Sequence, residues 1–215
     1  MEGTKQMVRG RIAVDHLNSN PVHQYILANA GKPNFPISKE DAQAIKSGKL
    51  KLKKAVLYAR VQLTGGGKQK LIDSSVALAQ GITNVHEGQH KMRNFICEGV
   101  RVGYRVVDNT DTKGVNRNDF KYHDAEVHPS LRNGRLTVTQ ASTQKIAVEV
   151  AETLAIGVPS SGVRDHYKLD EFVVLPPKDA MEWELESTKG GDYSDITGAN
   201  IAIVEVTLIG WGIDA

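Results

Sequence analysis

The stretch from residue 199 to residue 213, Ala-Asn-Ile-Ala-Ile-Val-Glu-Val-Thr-Leu-Ile-Gly-Trp-Gly-Ile, constrains the fold of this chain more than any other. Both faces of this segment would be largely apolar in an extended conformation, and β-branched residues dominate it. Such residues pack well on the pleated surface of a sheet, and continuous apolar character is typical of a strand that is buried on both faces. We therefore predict a long central strand here, against which earlier strands of the chain pair.

Two further strand signals precede this segment. Residues 181–186, Met-Glu-Trp-Glu-Leu-Glu, alternate apolar and acidic side chains, which predicts a strand with one buried and one exposed face. The apolar run at residues 172–175 ends at Pro176 and Pro177, which lack the N–H groups that a strand ladder needs. The C-terminal third of the chain is therefore predicted to be a series of strands.

Other strand candidates are spread along the preceding part of the chain. They share short apolar or alternating patterns bounded by turn residues, and they lie at residues 7–14, 49–63, 70–73, 96–107, 131–139 and 145–150. The Asn133-Gly134 pair is favoured in two-residue hairpin turns, so a tight hairpin is predicted at that position. Residues 74–80 fit a helix or a strand equally well, and the polar stretch at residues 108–119 is predicted to be a loop.

Two short helices are predicted near the N-terminus. Residues 20–31 begin with an N-cap residue and a proline and end with a glycine, which are helix start and stop signals. Residues 38–48 begin with a sequence that resembles a capping box and also end with a glycine. Helices of this length need packing on a larger body to be stable. A further helical turn is predicted at residues 152–156.

Taken together, the elements predict an all-β fold, an antiparallel two-sheet β-sandwich of the jelly-roll type with two short helices near the N-terminus. The strand candidates are separated by turns and show no alternation of strands with helices, which disfavours a parallel α/β fold. A chain of 215 residues can bury one good core. We therefore predict a single sandwich domain over residues 1–215, with residues 1–48 packing on it or extending from it.

The composition excludes several classes of protein. The net charge is only +2, so no global field draws the protein onto nucleic acid or a membrane. Cys97 is the single cysteine, which excludes an internal disulfide framework. The polar N-terminus lacks the apolar core of a signal peptide, and no apolar run is long enough for a membrane span. We expect a soluble protein that is made in a reducing cytoplasm.

The sharpest motif is His-Glu-Gly-Gln-His at residues 86–90, a literal H-E-x-x-H. On a helix this spacing places two imidazoles on one face, where they bind zinc while the glutamate activates a water molecule. The surrounding glycine, threonine and asparagine residues disfavour a helix, so we predict a turn before the strand at residues 96–107. Asp119, His123, Asp124 or Glu126 could supply a third ligand, and the sequence selects none of them.

Other motifs are assigned structural roles. The glycines before Lys68 depart from a phosphate-binding loop, because Gln62 stands where its first glycine is required, so we predict a glycine-rich hairpin loop. Cys97 lies in a strand pattern and is predicted to be a buried core residue. Trp183 and Trp211 are predicted to pack in the core or on a sheet. The sequence assigns no catalytic, cofactor-binding or metal-binding residue.

One basic cluster is present, at Lys46, Lys49, Lys51, Lys53 and Lys54. Lysine on an edge strand prevents edge-to-edge pairing, and this role is favoured here. Lysine also binds the phosphate backbone of nucleic acids. Non-specific nucleic-acid contact through Lys49, Lys51, Lys53 and Lys54 therefore remains a second hypothesis.

The later strands resemble a known family. Residues 170–177, Asp-Glu-Phe-Val-Val-Leu-Pro-Pro, are followed by the alternating strand at 181–186 and a closing Ile-Val-Glu-Val-Thr-Leu-Ile-Gly at 203–210. This series is similar to the last part of jelly-roll capsid proteins of bacteriophages, and residues 94–102 resemble their middle strands. The resemblance covers about half of the chain and rests on its pattern of strands.

The resemblance implies a non-enzymatic structural protein of the virion, which is made in the host cytoplasm and assembles with copies of itself and with other virion proteins. Such a protein needs a rigid β-scaffold and loops that contact its neighbours. Two other classes remain open. One is a zinc-dependent hydrolase that uses His86, Glu87 and His90, and the other is a monomeric β-sandwich module that binds a ligand through its loops.

Overall fold

The structure is a computed structural model, and it describes residues 20–64, 67–75, 82–108, 127–154, 166–188, 193, 196 and 200–214. The described part of the chain is mainly β-structure. Its strands are β1 Lys51–Gln62, β2 Lys68–Ile72, β3 Asn94–Asp108, β4 Arg135–Gln140, β5 Thr143–Glu149, β6 Tyr167–Leu175, β7 Met181–Glu186 and β8 Asn200–Asp214. Its helices are α1 Pro21–Asn29, α2 Lys39–Lys46, α3 Pro129–Arg132 and α4 Val150–Thr153.

The strands form two antiparallel four-stranded sheets, as the sequence predicts. The first sheet has the strand order β1-β8-β3-β6, and the second has the order β2-β7-β4-β5. The predicted central strand is confirmed, because β8 pairs with β1 on one side and with β3 on the other. The predicted strand at residues 7–14, the glycines at 65 and 66, and most of the predicted loop at 108–119 lie outside the described residues.

The inner faces of the two sheets pack together in a common core. Phe95 and Leu57 from the first sheet and Trp183 from the second sheet are fully buried there. Full burial of an apolar side chain contributes about 1.5–3 kcal/mol to stability. Cys97 is buried in the same core, and this burial raises the pKa of its thiol to about 12. The predictions of core positions for Cys97 and Trp183 are confirmed.

Helices α1 and α2 cover one end of the face of the first sheet that points away from the second sheet, here called the outer face. Ile26 of α1 and Ile45 of α2 pack in one buried cluster with Ile96 of β3 and Ile213 of β8. Both helices begin as the sequence predicts, with the Ser38 side chain, for example, accepting a hydrogen bond from the Asp41 N–H at 3.0 Å. The predicted N-terminal helices therefore pack on the sandwich of their own chain.

The hairpin predicted at Asn133-Gly134 is wrong. These two residues end helix α3, where the Gly134 N–H donates to the Leu131 carbonyl at 2.9 Å, and β4 starts only afterwards. A proline at its first position favours the helix, and Gly134 lies so close to β7 that an added Cβ would be 2.5 Å from the Glu186 oxygen. Similarly, the helical turn predicted at residues 152–156 begins two residues earlier, as α4.

The tight hairpin lies instead between β4 and β5, with Ala141 and Ser142 at its tip. Both residues have positive φ, of 50° and 59°, which is the geometry of a type I′ turn. This left-handed conformation is energetically unfavourable for most residues other than glycine and asparagine. We expect the double change Ala141→Asn and Ser142→Gly to raise the free energy of unfolding by about 1 kcal/mol, measured by chemical denaturation. An unchanged or lower stability would contradict this assignment of the turn.

Candidate functional site on the first sheet

The H-E-x-x-H motif forms a turn in the structure and contains no helix. His86 and Gln89 exchange main-chain hydrogen bonds of 2.8 and 2.7 Å, and between them Glu87 and Gly88 have positive φ of 48° and 75°. The predicted turn is confirmed. The two imidazoles therefore do not share one face of a helix, which is the arrangement that gives the motif its meaning in zinc enzymes.

The turn instead packs against the connection between β6 and β7 and is hydrogen-bonded to the start of β7. The Gly88 carbonyl accepts a hydrogen bond of 2.8 Å from the Met181 N–H, and a Cβ at Gly88 would lie 2.6 Å from the Met181 oxygen. His90 is buried, and its Nε2 lies 2.9 Å from the Leu175 carbonyl. Within the described residues no group of three or more histidine, cysteine, aspartate or glutamate side chains could hold a metal ion, and the four candidate third ligands lie outside that part of the chain.

The environment of His90 gives a prediction about acid stability. Burial lowers the pKa of His90 below its usual value of 6.5, against the opposing effect of the Leu175 and Met92 carbonyls. As the pH falls through the usual range, the unfolded chain therefore binds the proton before the folded chain does. We expect the free energy of unfolding to decrease as the pH drops below about 6.5, and His90→Gln to weaken this dependence.

His86 provides the matched control for this prediction, because its side chain is 51% exposed within the same motif. Chemical denaturation between pH 7.5 and pH 5, starting about one unit above the usual histidine pKa, measures the effect for both variants. His86→Gln replaces an exposed histidine of the same motif, and we expect it to change the pH dependence less than His90→Gln does. A His90→Gln protein with the full wild-type dependence would show that His90 is not its source.

The lysine cluster runs from the end of α2 at Lys46 into β1, which forms an edge of the first sheet and carries Lys51, Lys53 and Lys54. The Lys53 Nζ is 3.3 Å from an Asp214 carboxylate oxygen, and Lys54 forms a salt bridge with Glu98. Lys49 and Lys51 are exposed and make no ion pair with another described residue. Of the four lysines in the nucleic-acid hypothesis, two are therefore engaged within the chain and two face solvent.

Lys54 belongs to a small cluster on the outer face. Its ammonium group lies 4.4 Å from the centre of the Trp211 ring, and the Trp211 Nε1–H donates to Glu98 at 3.0 Å. Burial raises the pKa of Glu98, but the hydrogen bonds from Lys54 and Trp211 outweigh it, so the net pKa shift is downward. Trp211 packs on the sheet, as predicted, and also contacts the helix-covered cluster.

The free edge of β1 is covered along part of its length. The Asn84 side chain accepts a 2.8 Å hydrogen bond from the Tyr58 N–H and donates a 2.8 Å bond to the Val56 carbonyl. The Arg60 N–H donates to the Ile82 carbonyl at 2.8 Å. Residues 82–84 therefore occupy this edge from Val56 to Arg60, whereas the lysine-bearing part lies beyond them.

A buried charge cluster lies farther along the outer face. Glu205 of β8 is only 4% exposed, and its carboxylate lies 2.5 Å from the Arg60 Nε and 3.2 Å from an Arg101 guanidinium nitrogen. The Thr207 hydroxyl donates to the same carboxylate at 3.4 Å. Sequence reasoning missed this cluster, although a single acidic residue within an otherwise apolar central strand is the signal that indicates it.

The two sides of the sandwich differ in what they expose. On the second sheet, Lys68 lies 2.9 Å from Glu184, and Lys70 pairs with Glu182. Among the described residues, the large apolar side chains that remain exposed are Leu27, Val56, Ile82 and Val106. All four belong to the first sheet, to its helices or to the segment on its edge, and Val106 lies on the face of β3 that also carries Val102 and Tyr104.

No protein-family model, curated protein or solved structure is significantly similar to this chain. No helix in the described part of the chain has the length and apolar character that crossing a membrane requires.

Proposed function

We propose that this chain is a structural subunit of a bacteriophage virion, a jelly-roll protein that assembles with copies of itself into a shell. The observation that carries the proposal is the strand order, β1-β8-β3-β6 in one sheet and β2-β7-β4-β5 in the other. Eight antiparallel strands arranged as two Greek keys make a jelly roll, an architecture that viral capsid proteins use. The resemblance of the later strands to phage capsid proteins supports the same class.

The distribution of surface groups supports a role in assembly. The second sheet presents paired charges to solvent, whereas the exposed large apolar side chains of the described residues lie on the side of the first sheet. Exposed apolar groups on the elements of one sheet are available for contact with a neighbouring subunit. Side chains such as Phe95 and Trp183 are fully buried between the sheets and contribute to the rigidity of the scaffold.

The basic part of the chain is suited to contact with a packaged genome. Residues 31–60 contain eight lysine or arginine residues and two acidic residues, although the net charge of the whole chain is only +2. Lys49 and Lys51 are exposed and available to phosphate groups. Contacts of this kind are independent of nucleotide sequence and weaken as the salt concentration rises.

Size-exclusion chromatography with light scattering, metal analysis of the same peak and negative-stain electron microscopy test the proposal. We expect large, symmetric particles or oligomers without stoichiometric zinc. Lectins and cupins share the jelly-roll architecture, so a metal-free monomer at high concentration would favour the ligand-binding module instead. A monomer that retains about one zinc ion per chain would favour the hydrolase, because a dedicated site holds its metal through purification.

A further inference from the structure

Strand β6 forms a wide bulge at the free edge of the first sheet. Its pairing with β3 passes from Val173 opposite Cys97 directly to Lys168 opposite Gly99. Glu98 alone therefore stands opposite the four residues 169–172, here called the β6 bulge. Extra residues on one strand of an antiparallel pair bend that strand away from its partner. We therefore expect β6 to bend at this position, where Asp170 and Glu171 are exposed.

The β6 bulge is anchored at both ends by apolar contacts. Leu169 packs against the core between the sheets, and Phe172 packs in the cluster beneath the helices. The Tyr25 hydroxyl donates to the Phe172 carbonyl at 3.0 Å, and the two rings lie 5.1 Å apart. Asp170 and Glu171, between these anchors, are exposed and form no salt bridge with another described residue. A fixed segment thus presents two carboxylates to solvent.

The opposite edge of the same sheet has the opposite charge. Lys51 and Lys53 of β1 are exposed there, beyond the stretch that residues 82–84 cover. Lys51 makes no ion pair with another described residue, and the pair that Lys53 forms with Asp214 is itself exposed to solvent. Both charged segments lie near the same end of the sheet. One row across the sheet joins Lys54, Trp211, Ile96 and Val174, with Lys51 and Lys53 on one side of this row and the β6 bulge, which is level with Ala55 and Val56, on the other. The sheet therefore has a basic edge and an acidic edge, and their charged segments are offset along the strand direction.

We propose that copies of this chain associate head to tail, with the β6 bulge of one copy against Lys51 and Lys53 of the next. This inference rests on the proposed self-assembly and names the surfaces that carry it. Strands β1 and β6 run in opposite directions within the sheet, so two copies keep an antiparallel order across the contact when one is shifted along the strands to bring the bulge level with the two lysines. A contact between two different surfaces forms a closed ring or continues into a larger array.

The contact is expected to be sensitive to salt. The lysine and carboxylate groups are exposed, and interactions between exposed charges are screened over about 8 Å at physiological ionic strength. Complementary charge also selects the correct partner surface, since like charges repel. Val56, which is 45% exposed on the outer face next to this edge, adds an apolar group near the contact.

Charge exchange between the two edges tests the proposal. The first variant carries Lys51→Glu with Lys53→Glu, and the second carries Asp170→Lys with Glu171→Lys. We expect each variant alone to associate at least about tenfold more weakly than the wild-type protein, measured by analytical ultracentrifugation at low salt. An equal mixture of the two should regain association, because every contact then joins an acidic edge to a basic one.

A third variant with all four changes should also associate by itself, since its edges are again complementary. Lys91→Glu with Lys145→Glu serves as the control, because it changes the net charge as much as the first variant does but at exposed positions elsewhere. Circular dichroism and thermal unfolding of each protein identify any variant that does not fold, and the mixture and the four-residue variant test the contact independently of it.

The outcomes separate this proposal from the proposed function. If the wild-type protein assembles and both charge variants assemble equally well, the edge contact is wrong and the structural role stands. If both variants lose association and neither the mixture nor the four-residue variant regains it, the edges are not partners and the contact is also overturned. A wild-type protein that remains monomeric at every concentration overturns both proposals.

Discussion

We expect Gly210→Ala to be among the most destabilising single changes in this protein. Gly210 lies in β8 next to β3, and a Cβ at this position would meet the Ile96 oxygen, with the Ile96 carbonyl carbon at 2.8 Å and the Cys97 Cα at 3.0 Å. These are main-chain atoms, which can move only if the pairing of β3 with β8 shifts. Overpacking costs about 1–3 kcal/mol and occasionally more, and we expect a loss of about 3 kcal/mol or more.

Gly212→Ala is the matched control, two residues farther along the same strand. Its added Cβ would meet the Met92 side chain, which is flexible and can move aside. We expect this variant to lose about 1 kcal/mol or less, measured by urea denaturation beside Gly210→Ala. Equal losses for the two variants would show that the close approach of β3 at Gly210 does not limit the stability.

The second large effect is expected from Glu205→Leu. This change removes the carboxylate that Arg60 and Arg101 contact and leaves both guanidinium groups without this counter-charge on a largely buried surface. Removal of one partner from a buried ion pair typically costs about 3–5 kcal/mol, and we expect the lower end of this range because Arg101 is partly exposed. The free energy of unfolding from urea denaturation provides the measurement.

The double variant Arg60→Leu with Glu205→Leu distinguishes a charge effect from a packing effect. If the cost of Glu205→Leu comes from the uncompensated arginine, the second change should recover part of the lost stability. Lys53→Ala, which breaks the exposed pair with Asp214, should cost less than about 1 kcal/mol. A double variant that is less stable than Glu205→Leu by the full cost of Arg60→Leu would contradict the charge explanation.

Much of the secondary structure could be predicted from local patterns. The alternation at residues 181–186 matches β7 without a shift, and the apolar segment at 199–213 matches β8 within one residue at each end. These predictions succeeded because a strand that is buried on one face has an apolar residue at every second position, and a strand that is buried on both faces is apolar throughout. The hairpin at Asn133-Gly134 failed because a local dipeptide preference was outweighed by a helix cap and by the close approach of β7.

The candidate surfaces were harder to predict, because they depend on which strands become neighbours. The Glu205 cluster joins Arg60, Arg101 and Glu205 from three strands, and no local signal pairs those strands. The β6 bulge has a weak signal in its sequence, Leu-Asp-Glu-Phe, where two consecutive acidic residues interrupt the alternation of the strand. The strand order places β1 and β6 at the two edges of one sheet, so the acidic edge and the basic edge could not be recognised before that order was known.

The position of β8 between β1 and β3 also has a consequence for synthesis on the ribosome. Every strand of the first sheet except β8 is made earlier, yet β1 and β3 reach each other only through β8. The first sheet therefore cannot close during translation until the residues of β8 have left the exit tunnel. Pairing between distant parts of a chain is slow to form, and unpaired strand edges on nascent chains favour aggregation. We therefore expect incomplete chains of this protein to aggregate more readily when several ribosomes translate one messenger RNA close together.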